Sequence, residues 1–456
     1  MATSQKDLSL EEYRSIDRDH IWHPIFQHQA LENTDLTVIK EAHGSTITDS
    51  EGNQYLDALS GLWNVNVGYG REEIADAVYE QMRQLSYYPL SQINVPATLL
   101  ADKLAELLPG DLQHVYFSNS GSEANETSIK IARQYGRQKY PGQNRHKIIA
   151  RYRGYHGFTY GAMSATGQTQ RRKVFEPLVP GFLHAHPPYC YRCPLGKNYP
   201  ACDVSCADEI EQIVQWEGVD TVIGVIAEPI IGGGGVIVPP DDYLPKLREI
   251  CDRYGLLLIL DEVITGFGRT GAPFACEHWD VQPDIISLAK GLTSGYLPLG
   301  ASVVPPEVFD VFRGAPDDYL EFAQVATYGG HPVTCAAGLA NLNILTEERL
   351  WENSAQVGSY LLEKLKVLLD LPIVGDIRGK GLMIGVELVN PDQSSLDTAT
   401  TNKVVGMMRD RGILIGKVSH TMDEPENTIF IAPPLIVTTA EADRIFDSLS
   451  DVLSDL

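Results

Sequence analysis

The chain has no block of basic residues and no long apolar stretch. Lys and Arg number 36 against 60 Asp and Glu, and the formal net charge is −24. Such a charge argues against nucleic acid or an anionic membrane as a partner of the chain as a whole. No window approaches the roughly 18 consecutive apolar residues that a membrane helix needs. The acidity does not exclude an anionic substrate, because a local site can be positive on an acidic protein.

The sequence also has no segment typical of a secretory signal. Residues 1–19 are polar and mixed in charge, without the apolar core of a signal peptide. We therefore expect a cytoplasmic protein. The chain has 456 residues, 43% of them hydrophobic. Because a single core stops growing at roughly 250–300 residues, we expect more than one domain.

Cysteine is sparse, with seven residues, which argues against a disulfide scaffold. Four of them cluster in a stretch rich in Pro, Tyr and Gly: Cys190, Cys193, Cys202 and Cys206. Paired thiolates at short spacing suit tetrahedral zinc. The spacing of the second pair is loose, however, and reduced thiols also pack as small hydrophobes. We therefore predict a loop with reduced thiols and no metal site.

Short apolar runs alternate with helical patterns between about residues 110 and 330, which is typical of βαβ units on a largely parallel sheet. The runs are continuous rather than alternating, as expected when helices cover both faces of the sheet. The predicted strands are His114–Ser118, Lys147–Arg151, Val222–Ala227, 256–260, 284–288 and 299–304. Helices are predicted over 123–139 and 241–254.

A helix predicted over 332–346 leads into a smaller α/β domain. Its predicted elements are helices over 351–369, over 401–410 and from Ala440, and strands over 382–388, 413–415 and 428–432. Two short N-terminal strands, at 36–40 and 45–48, are expected to join it. The predicted organisation is an N-terminal segment over 1–70, a large domain over 71–335 and a small domain over 336–456.

Polar residues follow three of the predicted strands, at the carboxyl ends where open α/β sheets bind ligands. The first strand, His114–Ser118, runs into residues 119–123, of sequence NSGSE, and directly into a helix. Glycine permits close backbone approach, and free N–H groups at a helix start attract a phosphate. Ser and Gly also cap helices for structural reasons, so this run alone leaves both interpretations open.

Asp261 follows the buried strand 256–260 directly. Because desolvation of its charge is costly unless it is paired, Asp261 is a candidate partner for a cationic nitrogen such as a protonated pyridine ring. The alternative is a salt bridge to Arg269 in the following loop. Arg269 could instead pair with Glu262.

Lys290 follows the next strand and lies between two small residues, Ala289 and Gly291. Burial disfavours an ammonium and favours an amine that attacks an aldehyde. A single lysine would carry little weight, since lysines are usually solvated. A phosphate cradle, a carboxylate and a lysine at successive strand ends are, however, the three groups that pyridoxal phosphate (PLP) needs.

Six runs of residues carry a resemblance to a known family. They are SNSGSEANE (118–126), RGYHGFTYGAMSATG (153–167), AEPI (227–230), LDEVITGFGRTG (260–271), SLAKGLTSGYLPLGA (287–301) and ATYGGHPVTCAAGLA (326–340). Over almost its whole length the chain resembles the class III aminotransferases of PLP fold type I. The resemblance implies an α/β fold: a large domain with a mostly parallel seven-stranded sheet covered by helices, plus a smaller α/β domain.

The resemblance also implies a role for each matching residue. Lys290 would carry PLP as a Schiff base and shuttle protons, and Asp261 would pair with the pyridine nitrogen. Val263 and Tyr155 would pack on opposite faces of the ring. The remaining cofactor-binding residues would be Ser120, Gly121 and Ser122 near the phosphate, His156 and Glu228, and Thr327, which would reach the phosphate of the neighbouring subunit. Because such enzymes are dimers with interfacial sites, we expect a homodimer or a dimer of dimers.

Two further segments resemble the ω-amine:pyruvate and taurine–pyruvate members of the family. In the first, residues 59–70 (LSGLWNVNVGYG), Trp63 would line the amine pocket together with Tyr88 and Tyr155. The second is the cysteine-rich stretch with YRCPLG at 191–196. The predicted donors are ω-amines or ω-amino acids of the taurine, β-alanine or primary-amine type. Pyruvate would be the acceptor in a ping-pong cycle.

One position departs from the ornithine-type members of the family. In those enzymes an Arg that binds the α-carboxylate precedes the Ala-Pro-Pro-Leu run by two residues, whereas Phe430 stands at that place here. The segment 420–428 also lacks the mobile Arg of some ω-amine enzymes, although Glu228, the usual partner of the first Arg, is present. Lys417 and His420 are the candidate substitutes for holding an acid group.

Other activities remain open on the same fold. It also hosts ornithine- and 4-aminobutyrate-type aminotransferases, decarboxylases and aminomutases, and the fold does not decide between them. Related domains occur in ligand-sensing transcription regulators, but that function predicts a basic DNA-binding module, which the sequence lacks.

Overall fold

A computed structural model describes residues 8–32 and 36–456 of the chain. Its helices are α1 (Leu10–His20), α2 (Ser60–Trp63), α3 (Glu72–Gln84), α4 (Val95–Leu107), α5 (Gly121–Lys139), α6 (Tyr160–Ala165), α7 (Ser205–Glu217), α8 (Tyr243–Tyr254), α9 (Pro306–Phe309), α10 (Pro332–Glu347), α11 (Leu350–Leu365), α12 (Thr398–Asp410) and α13 (Thr439–Ser454). Its strands are β1 (Ile39–His43), β2 (Thr46–Asp49), β3 (Gln54–Asp57), β4 (His114–Ser118), β5 (Lys147–Arg151), β6 (Phe182–Ala185), β7 (Val222–Ala227), β8 (Leu257–Asp261), β9 (Ile285–Leu288), β10 (Gly300–Val304), β11 (Val374–Gly379), β12 (Ile384–Leu388), β13 (Ile413–Leu414), β14 (Gly416–Lys417) and β15 (Thr428–Ile431).

The central sheet has seven strands in the order β4-β10-β9-β8-β7-β5-β6. The run from β9 to β6 is parallel, and β10 alone is antiparallel to both of its neighbours. Every residue of β7 and β8 is buried, which explains their continuous apolar sequence. The predicted mostly parallel seven-stranded sheet is therefore confirmed.

The element that follows β4 begins two residues earlier than predicted. Helix α5 starts at Gly121 because the Oγ of Ser120 accepts the backbone N–H of Glu123 at 3.2 Å and caps the helix. Strand β8 runs one residue further than predicted and includes Asp261, which is level with Ser287 of β9. Both shifts bring polar residues to the same edge of the sheet.

Two four-stranded sheets, in the orders β1-β2-β3-β13 and β11-β12-β15-β14, lie outside the central sheet. Strand β3 pairs in parallel with β13, so the N-terminal strands join the C-terminal part of the chain as expected. The first strand lies at Ile39–His43 rather than at 36–40. The domain limits at residues 70 and 335 stay a prediction.

Helix α10 packs against α3 and α4, and it leads out of the large sheet at the place predicted for a linking helix. Its buried residues include Val333, Leu342 and Leu345. In the part of the chain that the structure describes, none of the helices is both long enough and apolar enough to cross a membrane.

Candidate active site

Asp261 and Lys290 lie at the carboxyl ends of two neighbouring parallel strands. Asp261 ends β8, and its register partner in β9 is Ser287, three residues before Lys290. Lys290 has a φ of +46°, in the left-handed region, where the chain leaves the strand. The Asp261 carboxylate attracts the Lys290 ammonium and opposes the effect of burial on the Lys290 pKa. The structure therefore brings together the two predicted catalytic residues.

Asp261 is a buried carboxylate held by three hydrogen bonds. Its Oδ2 accepts from Asn125 Nδ2 at 2.7 Å and from His156 Nδ1 at 2.8 Å, and its Oδ1 accepts from the backbone N–H of Val263 at 3.1 Å. Only 3% of Asp261 is exposed. Among residues 8–32 and 36–456, no Lys or Arg lies within ion-pair distance of it. A carboxylate fixed in this way can receive a cationic ligand atom.

The Lys290 side chain has the properties of an amine nucleophile. Burial lowers its pKa to about 8, although Asp261 and Glu228 both favour the ammonium. A fraction of the side chain is therefore neutral near neutral pH, and a neutral amine attacks an aldehyde.

The N-terminus of α5 lies against Val263, two residues after Asp261. A Cβ on Gly121 would lie only 2.7 Å from Val263 Cγ1, so glycine is required for this approach. The side chain of Ser122 is buried, and its Oγ accepts from the N–H of Phe158 at 3.2 Å. We find no acceptor, within the described residues, for the first two N–H groups of the helix, those of Gly121 and Ser122. Such groups bind phosphate.

Glu228 follows β7 and organises the loop that carries Tyr155 and His156. Its two carboxylate oxygens accept the backbone N–H groups of Tyr155 and Gly232, each at 2.9 Å. Burial raises the pKa of Glu228. The backbone N–H of His156 donates to Thr166 Oγ1 at 2.9 Å. Burial raises the pKa of the Tyr155 hydroxyl; Arg171 opposes this rise, and the charges of Asp261 and Glu228 add to it.

Comparison with known proteins decides the family. The model of the class-III aminotransferases matches residues 28–453. The chain belongs to the class-III aminotransferases. It is 48% identical over 438 residues, 95% of each chain, to an uncharacterised aminotransferase of Bacillus subtilis (strain 168). It is also similar to the taurine–pyruvate aminotransferase of Bilophila wadsworthia (strain 3_1_6), at 42% identity over 94% of each chain.

Further relatives and solved structures of aminotransferases resemble this chain. The putrescine–pyruvate aminotransferase of Pseudomonas aeruginosa is 39% identical over 95% of this chain and 94% of its own. A Bacillus anthracis aminotransferase structure has a TM-score of 0.93 and 45% identity over 98% of both chains. An (S)-enantioselective ω-transaminase from Thermomicrobium roseum has a TM-score of 0.91 and 42% identity, covering 98% of this chain and 99% of its own.

As a class-III aminotransferase the protein depends on PLP, and its residues fit that cofactor. The buried Asp261 carboxylate suits a protonated ring nitrogen. The two N–H groups at the start of α5, those of Gly121 and Ser122, suit a phosphate. The lowered pKa of Lys290 suits an amine that bonds to the aldehyde carbon.

Arg171 is a cation of the site that the sequence analysis did not predict. Its guanidinium lies over the Tyr155 ring, 5.1 Å from the centroid, and its Nη2 donates to the carbonyl of Ser419 at 3.2 Å. Its Nε is buried and has no partner in the described part of the chain. Burial lowers the Arg171 pKa, against the attraction of Tyr155 and Glu426. Arg171 lies four residues beyond the family-like run 153–167, so proximity to that motif was the available signal.

The predicted pocket residue Trp63 stacks on Phe430. The two ring centroids are 4.1 Å apart and the planes differ by 20°. Trp63 is 5% exposed and Phe430 is 8% exposed. The absent side chain of Gly416 leaves room for the stack, since a Cβ there would lie 2.0 Å from the Phe430 ring. In this aminotransferase the position of the ornithine-type Arg is thus filled by an aromatic wall.

Lys417 and His420, the two candidate substitutes for that Arg, both lie against the carboxylate of Glu426. Lys417 forms an ion pair with Glu426. The backbone N–H of His420 donates to the same carboxylate at 2.8 Å, and its Nδ1 lies 3.8 Å from it. Glu426 therefore binds both groups, which weakens them as anchors for an anionic substrate.

Two predicted site residues lie on the surface of the chain. Tyr88 is 48% exposed, and Thr327 is exposed as well. The carbonyl of Thr327 accepts from the hydroxyl of Tyr87 at 2.8 Å. Within one chain, no contact of the described residues joins Tyr88 or Thr327 to Lys290. Their roles stay predictions, and the one for Thr327 requires a second subunit.

The salt bridges considered for Arg269 are wrong. The Arg269 guanidinium reaches neither Asp261 nor Glu262, because it points to Ser60 and Asn66 in the N-terminal segment, at 2.9 Å from each. Glu262 instead accepts backbone N–H groups and the hydroxyl of Thr265. Within the described part of the chain, Asp261 is therefore left without a guanidinium partner.

The cysteine-rich loop contains free thiols. Cys190 is exposed, and the other three cysteines of the loop are partly buried. Residues 8–32 and 36–456 include no group of three or more His, Cys, Asp or Glu residues that could hold a metal ion. The neighbouring side chains of Tyr189 and Arg192 bond to Glu387 on β12, which ties this loop to the small C-terminal sheet.

Proposed function

We propose that this aminotransferase moves an amino group from an ω-amine or ω-amino acid, of the taurine, β-alanine or primary-amine type, to pyruvate. The cycle is ping-pong: the deaminated product of the donor leaves, and its amino group stays behind, before pyruvate enters. The strongest support for an acidic substrate is Arg171, a half-buried cation beside Tyr155 whose Nε has no partner among residues 8–32 and 36–456. A taurine–pyruvate enzyme and a putrescine–pyruvate enzyme among the relatives agree with this range of donors.

Each residue of the site has a part in the proposed reaction. PLP, which the Lys290 Nζ would hold, would supply the carbon that receives the amino group and a ring that withdraws electrons from the substrate carbon. Asp261, oriented by His156 and Asn125, holds the proton on the ring nitrogen. The Lys290 Nζ, released when the donor amine takes its place, would move a proton from the substrate carbon to the cofactor carbon that bears the nitrogen, because its lowered pKa makes both forms accessible.

The substrate is held between two kinds of surface in this proposal. Arg171 binds the sulfonate or carboxylate of taurine, β-alanine or pyruvate through its guanidinium edge. The Trp63–Phe430 stack forms an apolar wall that packs against the carbon chain of the donor. A donor without an acid group, such as 1-phenylethylamine, uses the wall alone.

The proposal also states that the enzyme is a homodimer and that it is located in the cytoplasm. The surface near Thr327 exposes several large apolar side chains: Ile93 (87%), Val95 (66%), Val325 (92%) and Tyr328 (60%). The ring of Tyr87 contacts Tyr328 and its hydroxyl bonds to Thr327, so the two exposed segments form one patch. A contiguous apolar patch of this kind is typical of a subunit interface.

The visible absorbance of the purified holoenzyme tests the proposed function. Taurine, β-alanine or 1-phenylethylamine should each remove the band of the lysine-bound cofactor, and pyruvate should restore it. The preferred donor distinguishes a taurine-type from a broad amine-type enzyme. A band that ignores every donor would contradict transamination and favour a decarboxylase or aminomutase.

The variant Lys290→Ala should abolish turnover with the fold retained, as judged by its circular dichroism. Retained turnover, with the cofactor attached elsewhere, would refute the role of Lys290.

A further inference from the structure

Arg269 is a buried cation that bonds to three separate segments of the chain. Its Nη1 donates to the backbone carbonyls of Leu382 and Pro433, at 3.0 and 2.5 Å. Its Nη2 donates to Ser60 Oγ and Asn66 Oδ1, both at 2.9 Å. Burying a guanidinium is costly. No carboxylate of residues 8–32 and 36–456 lies within ion-pair distance of Arg269. The four neutral oxygen acceptors therefore determine where its guanidinium lies.

The segment that Arg269 holds is a strained turn. Ser60, Gly61 and Trp63 all have positive φ, at 50°, 62° and 62°, a region that residues with a side chain rarely adopt. Such a turn persists only where its surroundings fix it. Asp57 accepts the N–H of Gly61 at 2.7 Å on one side, and Arg269 binds Ser60 on the other.

Ser60 connects this turn to both members of the aromatic wall. Trp63 lies on the same turn, and Ser60 Oγ donates to the carbonyl of Ala432 at 2.6 Å. Ala432 follows Phe430 by two residues on the same chain segment. The hydroxyl that receives Arg269 therefore sets the distance between the turn that carries Trp63 and the strand that carries Phe430.

Asn66, the second acceptor of Arg269 Nη2, lies beside the residue that follows the cofactor lysine. A Cβ on Gly291, the residue after Lys290, would lie 2.5 Å from Asn66 Nδ2. Asn66 Nδ2 also donates to the carbonyl of Phe267 at 2.8 Å, on the loop that carries Arg269. The Arg269 guanidinium thus binds Ser60, on the turn with Trp63, and Asn66, which lies against the loop with Lys290. It fixes these two segments relative to each other.

We infer that Arg269 is a positioning residue for donor size. Through Ser60 it fixes the Trp63 ring against Phe430 and so limits the width of the amine pocket. The inference rests on the proposed function in one respect, that Trp63 lines the pocket for the amine donor.

Two variants and a matched control test this role. Arg269→Lys keeps the charge, but a single ammonium cannot reproduce the fork that spans four acceptors. Ser60→Ala removes only the hydroxyl between Arg269 and Ala432. Ser354→Ala is the control: Ser354 Oγ donates to the backbone carbonyl of Arg269 at 3.0 Å and accepts the N–H of Leu382 at 3.2 Å, and it bonds to no atom of the guanidinium.

The first measurement is the ratio of kcat/KM for 1-phenylethylamine to kcat/KM for β-alanine, with pyruvate as acceptor. We expect this ratio to rise by about 10-fold in Arg269→Lys and Ser60→Ala, through a lower KM for 1-phenylethylamine, because a released Trp63 ring admits the bulkier donor. The double variant should show no more than the larger single effect, since both changes break one link. Ser354→Ala should lower the thermal midpoint and leave the ratio within about 2-fold of the parent.

The second measurement follows Trp63 itself and needs no turnover. The fluorescence of Trp63 is obtained as the difference between each protein (parent, Arg269→Lys, Ser60→Ala) and the same protein with Trp63→Phe added. Trp63 is 5% exposed in the parent, so acrylamide should quench the difference signal weakly there and clearly more in Arg269→Lys and Ser60→Ala. If the parent uses neither amine, the proposed function fails while the quenching still tests the link to Trp63.

Several outcomes would overturn the inference. These are unchanged Trp63 quenching, an unchanged donor ratio, additive effects in the double variant, or an equal shift in Ser354→Ala. If Arg269→Lys does not fold, Ser60→Ala decides both measurements alone, and parent values for either one would refute the role.

Discussion

His156 donates its Nδ1 proton to Oδ2 of Asp261 at 2.8 Å, and both side chains are buried. Asn125 donates to the same oxygen at 2.7 Å. Two side-chain donors on one oxygen hold the carboxylate in a single orientation, as outer residues do for metal ligands. The Asp261 Oδ1 is bonded only by the backbone of Val263 among the described residues, which leaves it capacity for a ligand.

Replacement of Asp261 by Asn should lower kcat by about 100-fold or more, because a neutral amide no longer favours a protonated ring nitrogen. Steady-state kinetics with saturating PLP would measure this. Asp284→Asn is a matched control, since Asp284 is a half-buried carboxylate that binds Arg248 and the N–H of Leu258 away from the site. The control should lose stability and keep turnover. Parent-like rates in Asp261→Asn would remove Asp261 from its role.

The variant Arg171→Met should raise KM for taurine and for pyruvate by about 10-fold or more, because a charge-assisted bond to the acid group is lost. The KM for 1-phenylethylamine should change little. Arg172→Met provides the control, since Arg172 contacts His184 rather than Tyr155. Equal effects on the acidic and the neutral donor would contradict an acid-binding role for Arg171.

The pKa of about 8 for Lys290 predicts how cofactor attachment depends on pH. Only the neutral amine attacks an aldehyde, so the rate constant for PLP and the apoenzyme should rise with pH and level off above about 8. In Asp261→Asn the attraction that favours the ammonium is lost, so the plateau should begin at lower pH. Stopped-flow absorbance would record both profiles. A rate that still rises near pH 10 would indicate an ordinary lysine.

Gly416→Ala should disturb the aromatic wall, because the new Cβ would overlap the Phe430 ring. We expect a loss of about 1–3 kcal/mol in the free energy of unfolding and a change in donor preference. Gly406→Ala is the control: it lies in α12 with nothing within 4 Å of its Cβ position, so alanine should be neutral or slightly stabilising. Equal stabilities of the two variants, measured in urea, would show that the wall tolerates the methyl group.

Much of the large domain could be predicted from the sequence because its signals are local. The apolar run of β7 and the polar residues that follow β4, β8 and β9 are contiguous in the chain. Parallel strands then bring their carboxyl ends to one edge of the sheet. For this reason Asp261 and Lys290 were found without any knowledge of their distance.

The acid-binding side of the site could not be predicted in the same way. Arg171 acquires its place only when the chain brings it to Tyr155 and Ser419, and Lys417 is occupied by Glu426, which follows it by nine residues. Arg269 likewise reaches Ser60, 209 residues away. Such pairings depend on tertiary packing and leave no period or spacing in the sequence.

The bond between Ser60 and Ala432 joins residues 372 positions apart, and β3 pairs with β13. A ribosome that has made the large domain has therefore not yet supplied the partners of residues 54–63. The cofactor lysine and the residues of the phosphate cradle precede these C-terminal partners in the chain and are therefore synthesised before them. The donor pocket therefore forms only after Ala432 has been made, and a chain truncated before that residue lacks the bond that fixes the turn with Trp63.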